Sequence, residues 1–146
     1  MIIEAFWDSS VLVPLCADQP PGTALARKLL GIYAVGVWWG TPVEVTSALM
    51  RLRRSEKLTG SEYLLARTEL EKMQADWLVI QPSDGIKTLA VGLLEKYPLR
   101  AGDAFQLAAA MEWCEGQPMG QVFLTADKRL AEAAGMAGFS LDPELV

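Results

Sequence analysis

The segment IIEAFWDSSVLVPLCA, residues 2–17, has the pattern of a buried β-strand that leads directly into a short helix. Residues 2–7 are almost all apolar, and the hydroxyl side chains of Ser9 and Ser10 are typical of a helix start. Asp8 lies at the junction of the two elements. A carboxylate so close to a core needs a partner, so capping of the helix and a functional role both stay open for it.

The alternation of strand and helix continues through the rest of the chain. Further strands are predicted in AVGVWWG (34–40), LVIQP (78–82) and QVFLT (121–125), with a short edge strand in FSLDP (139–143). Helices are predicted in the ranges 21–31, 41–57, 60–77, 83–97, 101–116 and 127–135. Such connections imply right-handed crossovers. We therefore expect an α/β fold in which a mainly parallel sheet of four to five strands is covered by helices on both faces.

Length and composition favour an ordinary cytoplasmic domain. The 146 residues, of which 51% are hydrophobic, suit one domain spanning 1–146. No apolar run approaches the roughly 20 residues that cross a bilayer, so no membrane association is expected. The two cysteines, Cys16 and Cys114, are expected to be buried thiols. The net charge of -5 argues against broad, sequence-blind adhesion to nucleic acid.

The sequence contains no histidine, which excludes the commonest general base and every Ser-His or Cys-His nucleophile. Acids are the remaining candidates. Asp8 and Asp127 follow predicted strands, and ligands of parallel sheets bind beyond the carboxyl ends of the strands. Helix capping would also explain several acids: Thr41 to Glu44 matches the capping-box pattern in full, with Thr41 as N-cap, and Asp127 is a plausible cap. Asp103 lies in the first turn of a predicted helix whose following residues are nearly all apolar, and it is less well explained as a cap.

Four segments together resemble the PIN-domain nucleases, particularly the bacterial toxins called VapC. They are WDSSVLVPL (7–15), TPVEVTSALMRLRR (41–54), LRAGDAFQLAAA (99–110) and FLTADKRLAEAAG (123–135). Their joint order and spacing carry the resemblance, which runs from Ile2 to about Leu141. It implies a PIN-like three-layer sandwich that acts as a metal-dependent endoribonuclease on RNA. It also implies a small cognate antitoxin, a homodimer, and products with 5′-phosphate and 3′-hydroxyl ends.

The resemblance also implies which residues form the site. Its acidic metal-site and catalytic positions fall on Asp8, Glu44, Asp103 and Asp127, and small hydroxyl residues that support the pocket fall on Ser9, Ser10 and Thr125. Ligands that are all oxygen favour Mg²⁺ or Mn²⁺ over zinc. Without histidine, we expect metal-activated water to attack the phosphodiester in line.

Contacts with the substrate are a weaker prediction. Arg51 lies seven residues after Glu44 on nearly the same helix face, and Lys128 and Arg129 adjoin Asp127, so each is a candidate for binding phosphate. The alternative is that these cations lie on solvated helix faces. Trp38, Trp39 and Trp77 suit a hydrophobic core better than a platform for bases.

Two other functions compete with the nuclease hypothesis. The first is a catalytically inactive PIN-like module that binds RNA or protein, which the presence of all four acids argues against. The second is a phosphoacceptor domain of the receiver type. That class needs adjacent acids after the first strand and an aspartate at the end of the central one, whereas WDSS has one acid and LVIQP has none.

Overall fold

The computed structural model describes residues 2–146, and in that part of the chain four parallel strands form one sheet. The strands are β1 (Ile3–Trp7), β2 (Tyr33–Trp38), β3 (Leu78–Ile80) and β4 (Val122–Leu124), in the order β3-β2-β1-β4. Each overlaps a segment predicted as a strand, and β2 begins one residue earlier than predicted. The predicted fifth strand at 139–143 is reduced to one isolated bridge, between Ser140 and Val122.

Seven α-helices connect and flank these strands. They are α1 (Ser9–Cys16), α2 (Gly22–Leu30), α3 (Thr41–Arg54), α4 (Gly60–Met73), α5 (Asp84–Lys96), α6 (Ala101–Trp113) and α7 (Lys128–Ala137). Several predicted helix ends are wrong. The helices predicted to residues 57 and 116 end at Arg54 and Trp113, and the helix predicted to Trp77 stops at Met73 and continues as a 3-10 turn. Helix α7 runs past Gly135 to Ala137 and is capped by Gly138, whose φ of 115° lies in the left-handed region that ends helices.

The sheet separates two layers of helices, because successive residues of a strand face opposite sides. On β1, Ala5 and Trp7 pack with residues of α1, α2, α3 and α4, whereas Phe6 packs with residues of α5, α6 and α7. All three side chains are fully buried. The predicted three-layer α/β sandwich is therefore confirmed.

The start of α3 differs from the capping box predicted at Thr41. Gly40 is the N-cap, without a capping side chain, and an added Cβ there would lie 2.7 Å from the indole nitrogen of Trp38. Thr41 is fully buried and its hydroxyl accepts a hydrogen bond from Gln106, so it does not cap the helix. Glu44 is consequently free of the capping role.

Both cysteines are free thiols, as predicted, but each is half-buried and not fully buried. Burial raises the pKa of Cys16 to about 12. Across residues 2–146, every helix is too short or too polar to span a membrane.

The three tryptophans expected in the core have different environments. Trp38 is buried and stacks on Phe105, with ring centroids 5.4 Å apart, and Trp77 is half-buried against the core. Trp39 is 56% exposed, so the core prediction is wrong for that residue. Its ring contacts the edge of Trp38 instead of the interior.

The sheet order brings two of the predicted acids to one edge. Because β1 and β4 are parallel neighbours, their carboxyl ends meet, and the backbone N–H of Asp8 donates to the carbonyl of Leu124 at 2.9 Å. Thr125 and Asp127 follow in the next three residues. The carboxyl end of β2 leads through Gly40 into α3 and so to Glu44.

Candidate active site

One cleft of about 490 Å³, at the carboxyl ends of the strands, is lined by all four predicted acids, Asp8, Glu44, Asp103 and Asp127. Each stands at the start of a different helix. Asp8 and Asp127 are the N-caps of α1 and α7, whereas Glu44 and Asp103 lie in the first turns of α3 and α6. The fold thus brings together residues that are up to 119 positions apart in the chain.

Asp8 is the most buried of these acids, with 4% of its surface exposed. Its Oδ2 accepts hydrogen bonds from the hydroxyls of Ser10, at 2.6 Å, and Thr125, at 2.9 Å, and its Oδ1 lies 3.4 Å from the Ser9 hydroxyl. Burial raises the pKa of Asp8, and the hydrogen bonds from Ser10 and Thr125 oppose that rise. Asp8 therefore both caps α1 and presents a carboxylate to the cleft.

The two hydroxyls on Asp8 also order the loop after β4. Thr125 Oγ1 accepts the backbone N–H of Asp127 at 3.1 Å, and Ser10 Oγ accepts the backbone N–H of Ala126 at 2.9 Å. Thr125 is 2% exposed, so its contacts are shielded from water. These contacts hold the Asp127 backbone in place beside Asp8. They are compatible with the supporting role predicted for Ser10 and Thr125, which stays a prediction.

Glu44 is held from two sides. Its Oε1 accepts the Ser9 hydroxyl at 3.3 Å, and its Oε2 accepts the side-chain amide of Gln106 at 3.2 Å. Burial raises the pKa of Glu44 to about 7, with further increases from the charges of Asp8 and, less strongly, Asp103. A carboxylate with no basic partner in contact is costly to ionise in such a place.

Asp103 and Asp127 both line the cleft and are close enough for their charges to interact. Burial raises the pKa of Asp103, and the charges of Asp127 and then Asp8 raise it further. The Oδ1 of Asp127 caps α7 by accepting the backbone N–H of Leu130 at 3.0 Å. Within residues 2–146, however, no three acidic or sulfur-bearing side chains stand close enough to hold a metal ion as they are placed. The acids share a cleft without converging on one point.

Comparison with known families agrees with this arrangement. The sequence profile of the PIN domain matches residues 5–136, which includes every acid of the cleft. The chain belongs to the PIN domain family. PIN domains are nucleases, and they generally use divalent metal ions.

Several solved structures share the PIN fold of this chain at low sequence identity. A toxin-antitoxin complex from Klebsiella pneumoniae has 18% identity and a TM-score of 0.62, over 88% of this chain and 91% of that one. FitAcB from Neisseria gonorrhoeae has 17% identity and a TM-score of 0.63, over 93% and 96%. VapBC2 from Rickettsia felis, bound to a DNA fragment from its promoter, has 9% identity and a TM-score of 0.63, over 96% and 98%. No curated protein matches the sequence.

Basic residues surround the acids of this PIN domain. Arg51 lines the acidic cleft, and Lys128 and Arg129 line an adjoining cavity of about 360 Å³ together with Asp103 and Asp127. Arg100, which sequence reasoning missed, lines both spaces. Its position directly before α6, the helix that carries Asp103, was the available signal.

The cations at the cleft form no close ion pair in the described part of the chain, although the charge of Arg100 lowers the pKa of Asp103 against the effect of burial. The three ion pairs found among residues 2–146 lie elsewhere on the surface, and none includes Arg51, Arg100 or Lys128. In a protein of net charge -5, this leaves positive charge concentrated around one acidic cleft. Unpaired cations of this kind suit an anionic ligand.

Gln106 is the second residue that sequence reasoning missed. It is fully buried on α6, three residues after Asp103, and contacts both Glu44 and Thr41. The available signal was one amide in an otherwise apolar run, AFQLAAA, because a buried polar group needs a partner.

Proposed function

We propose that this PIN domain is a metal-dependent endoribonuclease that hydrolyses RNA phosphodiester bonds, and that it is the toxin of a toxin-antitoxin pair. One observation carries the proposal: acids from the starts of four separate helices line a single cleft. Structural capping alone explains Asp8 and Asp127, but it does not explain Glu44, because Gly40 is the N-cap of its helix.

The chemistry of the donors fits Mg²⁺ or Mn²⁺. The acids Asp8, Glu44, Asp103 and Asp127 would hold the ion through oxygen atoms, which these hard cations prefer. Burial is the largest cause that raises the pKa of Asp8, Glu44 and Asp103. Neighbouring negative charge raises the pKa of Glu44 and Asp103 further. A cation would relieve that repulsion and draw the carboxylates together. When bound, it supplies activation of the attacking water and neutralisation of charge on the phosphate.

The protein's own side chains have two further tasks in this proposal. Arg51 on α3 and Arg100 before α6 stand at the cleft, with Lys128 in the adjoining cavity, and would hold RNA phosphates on either side of the bond to be cut. Ser10 and Thr125 hold Asp8 and the loop that bears Asp127 in a fixed relative position through their hydrogen bonds. Positioning the phosphate beside the carboxylates of the cleft is the part of catalysis that the chain supplies.

Several aspects of the proposal rest on the family alone. RNA as substrate, an antitoxin partner, a homodimer and a cytoplasmic location follow from the resemblance to VapC toxins. The solved complexes of Klebsiella pneumoniae and Neisseria gonorrhoeae share the fold at under 20% identity, so they support this assignment without extending it.

The central experiment replaces Asp8 by Asn, because asparagine also caps helices. We expect Asp8→Asn to fold, to lose the calorimetric heat of Mn²⁺ binding, and to lose cleavage of single-stranded RNA by at least about 100-fold. Asp84→Asn, an exposed first-turn residue of α5, is the matched control and should keep both.

Two results would contradict the proposal. An unaltered protein that binds RNA without Mn²⁺-dependent cleavage is a binding module, and products with cyclic phosphate ends would exclude hydrolysis by water. A matched single-stranded DNA tests the choice of nucleic acid. Growth arrest on expression, relieved by Asp8→Asn, tests the toxin assignment.

A further inference from the structure

Gln106 links the helices that carry Glu44 and Asp103 through two side-chain hydrogen bonds, of which the one to Thr41 is fully buried. Its Nε2 donates to Thr41 Oγ1 at 3.1 Å and to Glu44 Oε2 at 3.2 Å. Both Gln106 and Thr41 are 0% exposed, so neither is in exchange with solvent. The contact therefore joins α6 to the first turn of α3 in a region closed to water.

The other end of the amide has no partner. Among residues 2–146, Gln106 Oε1 is the buried side-chain polar atom without a hydrogen bond. A carbonyl oxygen buried without a donor destabilises the fold, and methionine would fill the same volume without that penalty. Packing alone thus gives no reason for an amide at this position.

The orientation of the amide follows from the charge on Glu44. An ionised carboxylate can only accept hydrogen bonds, so Gln106 must present its NH₂ group to Glu44, and Thr41 must then accept the second N–H. Turning the amide over would place two oxygens against each other. The unpaired Oε1 is the consequence of directing both donors at α3.

Glu44 needs such a restraint because a glutamate side chain has three rotatable bonds and reaches the cleft from the first turn of α3. Ser9 holds one of its oxygens and Gln106 holds the other. Asp103 and Gln106 are three residues apart on α6 and so share a face of that helix. A single helix thereby supplies one acid of the cleft and orients a second.

We propose that Gln106 is a positioning residue that fixes the Glu44 carboxylate in the orientation required to bind the divalent cation. This role rests on the proposed metal site and extends it by one residue outside the ligand set. Groups that hydrogen-bond to metal ligands in this way commonly change metal affinity by 10- to 100-fold when they are removed.

The first test measures Mn²⁺ binding by calorimetry, without RNA, for the unaltered protein and for Gln106→Met. We expect the variant to bind Mn²⁺ at least about 10-fold more weakly. Its melting temperature without metal is measured as well, because the change removes the unpaired oxygen and keeps the volume but also takes a donor from Thr41 and Glu44, and the calorimetry is run below the melting temperature of both proteins. Gln74→Met is the matched control, since Gln74 makes one hydrogen bond to the Leu70 carbonyl at the end of α4, and it should leave the Mn²⁺ affinity unchanged.

The second test uses the unaltered protein and so does not depend on how the variant folds. In ¹H–¹⁵N spectra the side-chain NH₂ resonances of Gln106 should shift on titration with Mg²⁺, with the dissociation constant that calorimetry gives for Mg²⁺ on the same protein, while those of Gln74 stay in place. A Gln106 amide whose contact with Glu44 is independent of the metal would show no such shift.

Each failure has a distinct meaning. A Mn²⁺ affinity of Gln106→Met within twofold of the unaltered protein, or Gln106 resonances that Mg²⁺ does not move, would overturn the positioning role and leave the metal site standing. An unaltered protein that binds neither ion would overturn the metal site, and this role with it.

Discussion

Replacing Glu44 by Gln should stabilise the metal-free protein at alkaline pH while removing a ligand from the proposed metal site. Burial and the charge of Asp8 raise the pKa of Glu44 from 4.5 to about 7. Between these pH values the folded state binds more protons than the unfolded state, so stability falls as the pH rises, and the loss is complete above about pH 7. At 1.36 kcal/mol per unit, this shift corresponds to roughly 3 kcal/mol.

Glu44 is partly exposed, so solvent screening reduces that figure to about 2 kcal/mol. Glutamine keeps the acceptor for the amide of Gln106 and has no charge to bury. At about 2–4 °C per kcal/mol for a chain of this size, Glu44→Gln should melt roughly 4–8 °C higher in EDTA near pH 8. Near pH 4, where the glutamate is protonated in both states, the two proteins should melt together.

Thermal unfolding followed by circular dichroism measures this difference directly. The matched control is Glu95→Gln, the same chemical change on the exposed face of α5, which should not alter the melting temperature at either pH. Added Mn²⁺ should raise the melting temperature of the unaltered protein more than that of Glu44→Gln. A variant that melts lower than the unaltered protein near pH 8, or equally higher at both pH values, would refute the electrostatic reasoning.

Three further predictions concern the cleft and the helices around it. Arg51→Glu should weaken RNA binding about 10-fold and make its salt dependence shallower by about one unit. Arg54→Glu, on the same helix but outside the cleft, should have neither effect, and filter binding at several salt concentrations decides. Thr125→Val should cost about 2 kcal/mol in urea unfolding, because it removes one of the two hydroxyl groups that donate to Oδ2 of buried Asp8, and Thr125→Ser should restore most of it; equal stabilities would refute this. Thr59→Ala should cost about 1 kcal/mol in the same assay, since the capping box with Glu62 begins α4, and an unchanged midpoint would show that this cap contributes nothing.

Local signals in the sequence were sufficient for most of the fold. Apolar runs and turn residues located the four strands, and Asp8 was correctly placed at the end of β1. The capping box at Thr41 was predicted from a valid local pattern, but a contact with Gln106, 65 residues away, takes its hydroxyl. Local rules describe what a residue can do with its near neighbours, and a buried contact from another helix overrides them.

The residues of the site were predicted less completely than the elements of the fold. The four acids were found because a resemblance supplied their positions, and Arg51 because helical spacing placed it near Glu44. Arg100 and Gln106 were missed although each had a local signal, because a single sequence does not show that they lie near Glu44, which is on another helix. Only the packing of α6 against α3 makes that relation visible.

By itself the sequence determined the alternation of strands and helices and the absence of histidine chemistry, because periodicity and composition are properties of neighbouring or summed residues. The tertiary structure alone decided that β1 and β4 lie side by side, that four acids share one cleft, and that a buried amide holds Glu44. Strand order and helix packing are set by the burial of whole faces against one another, so they depend on all the elements at once.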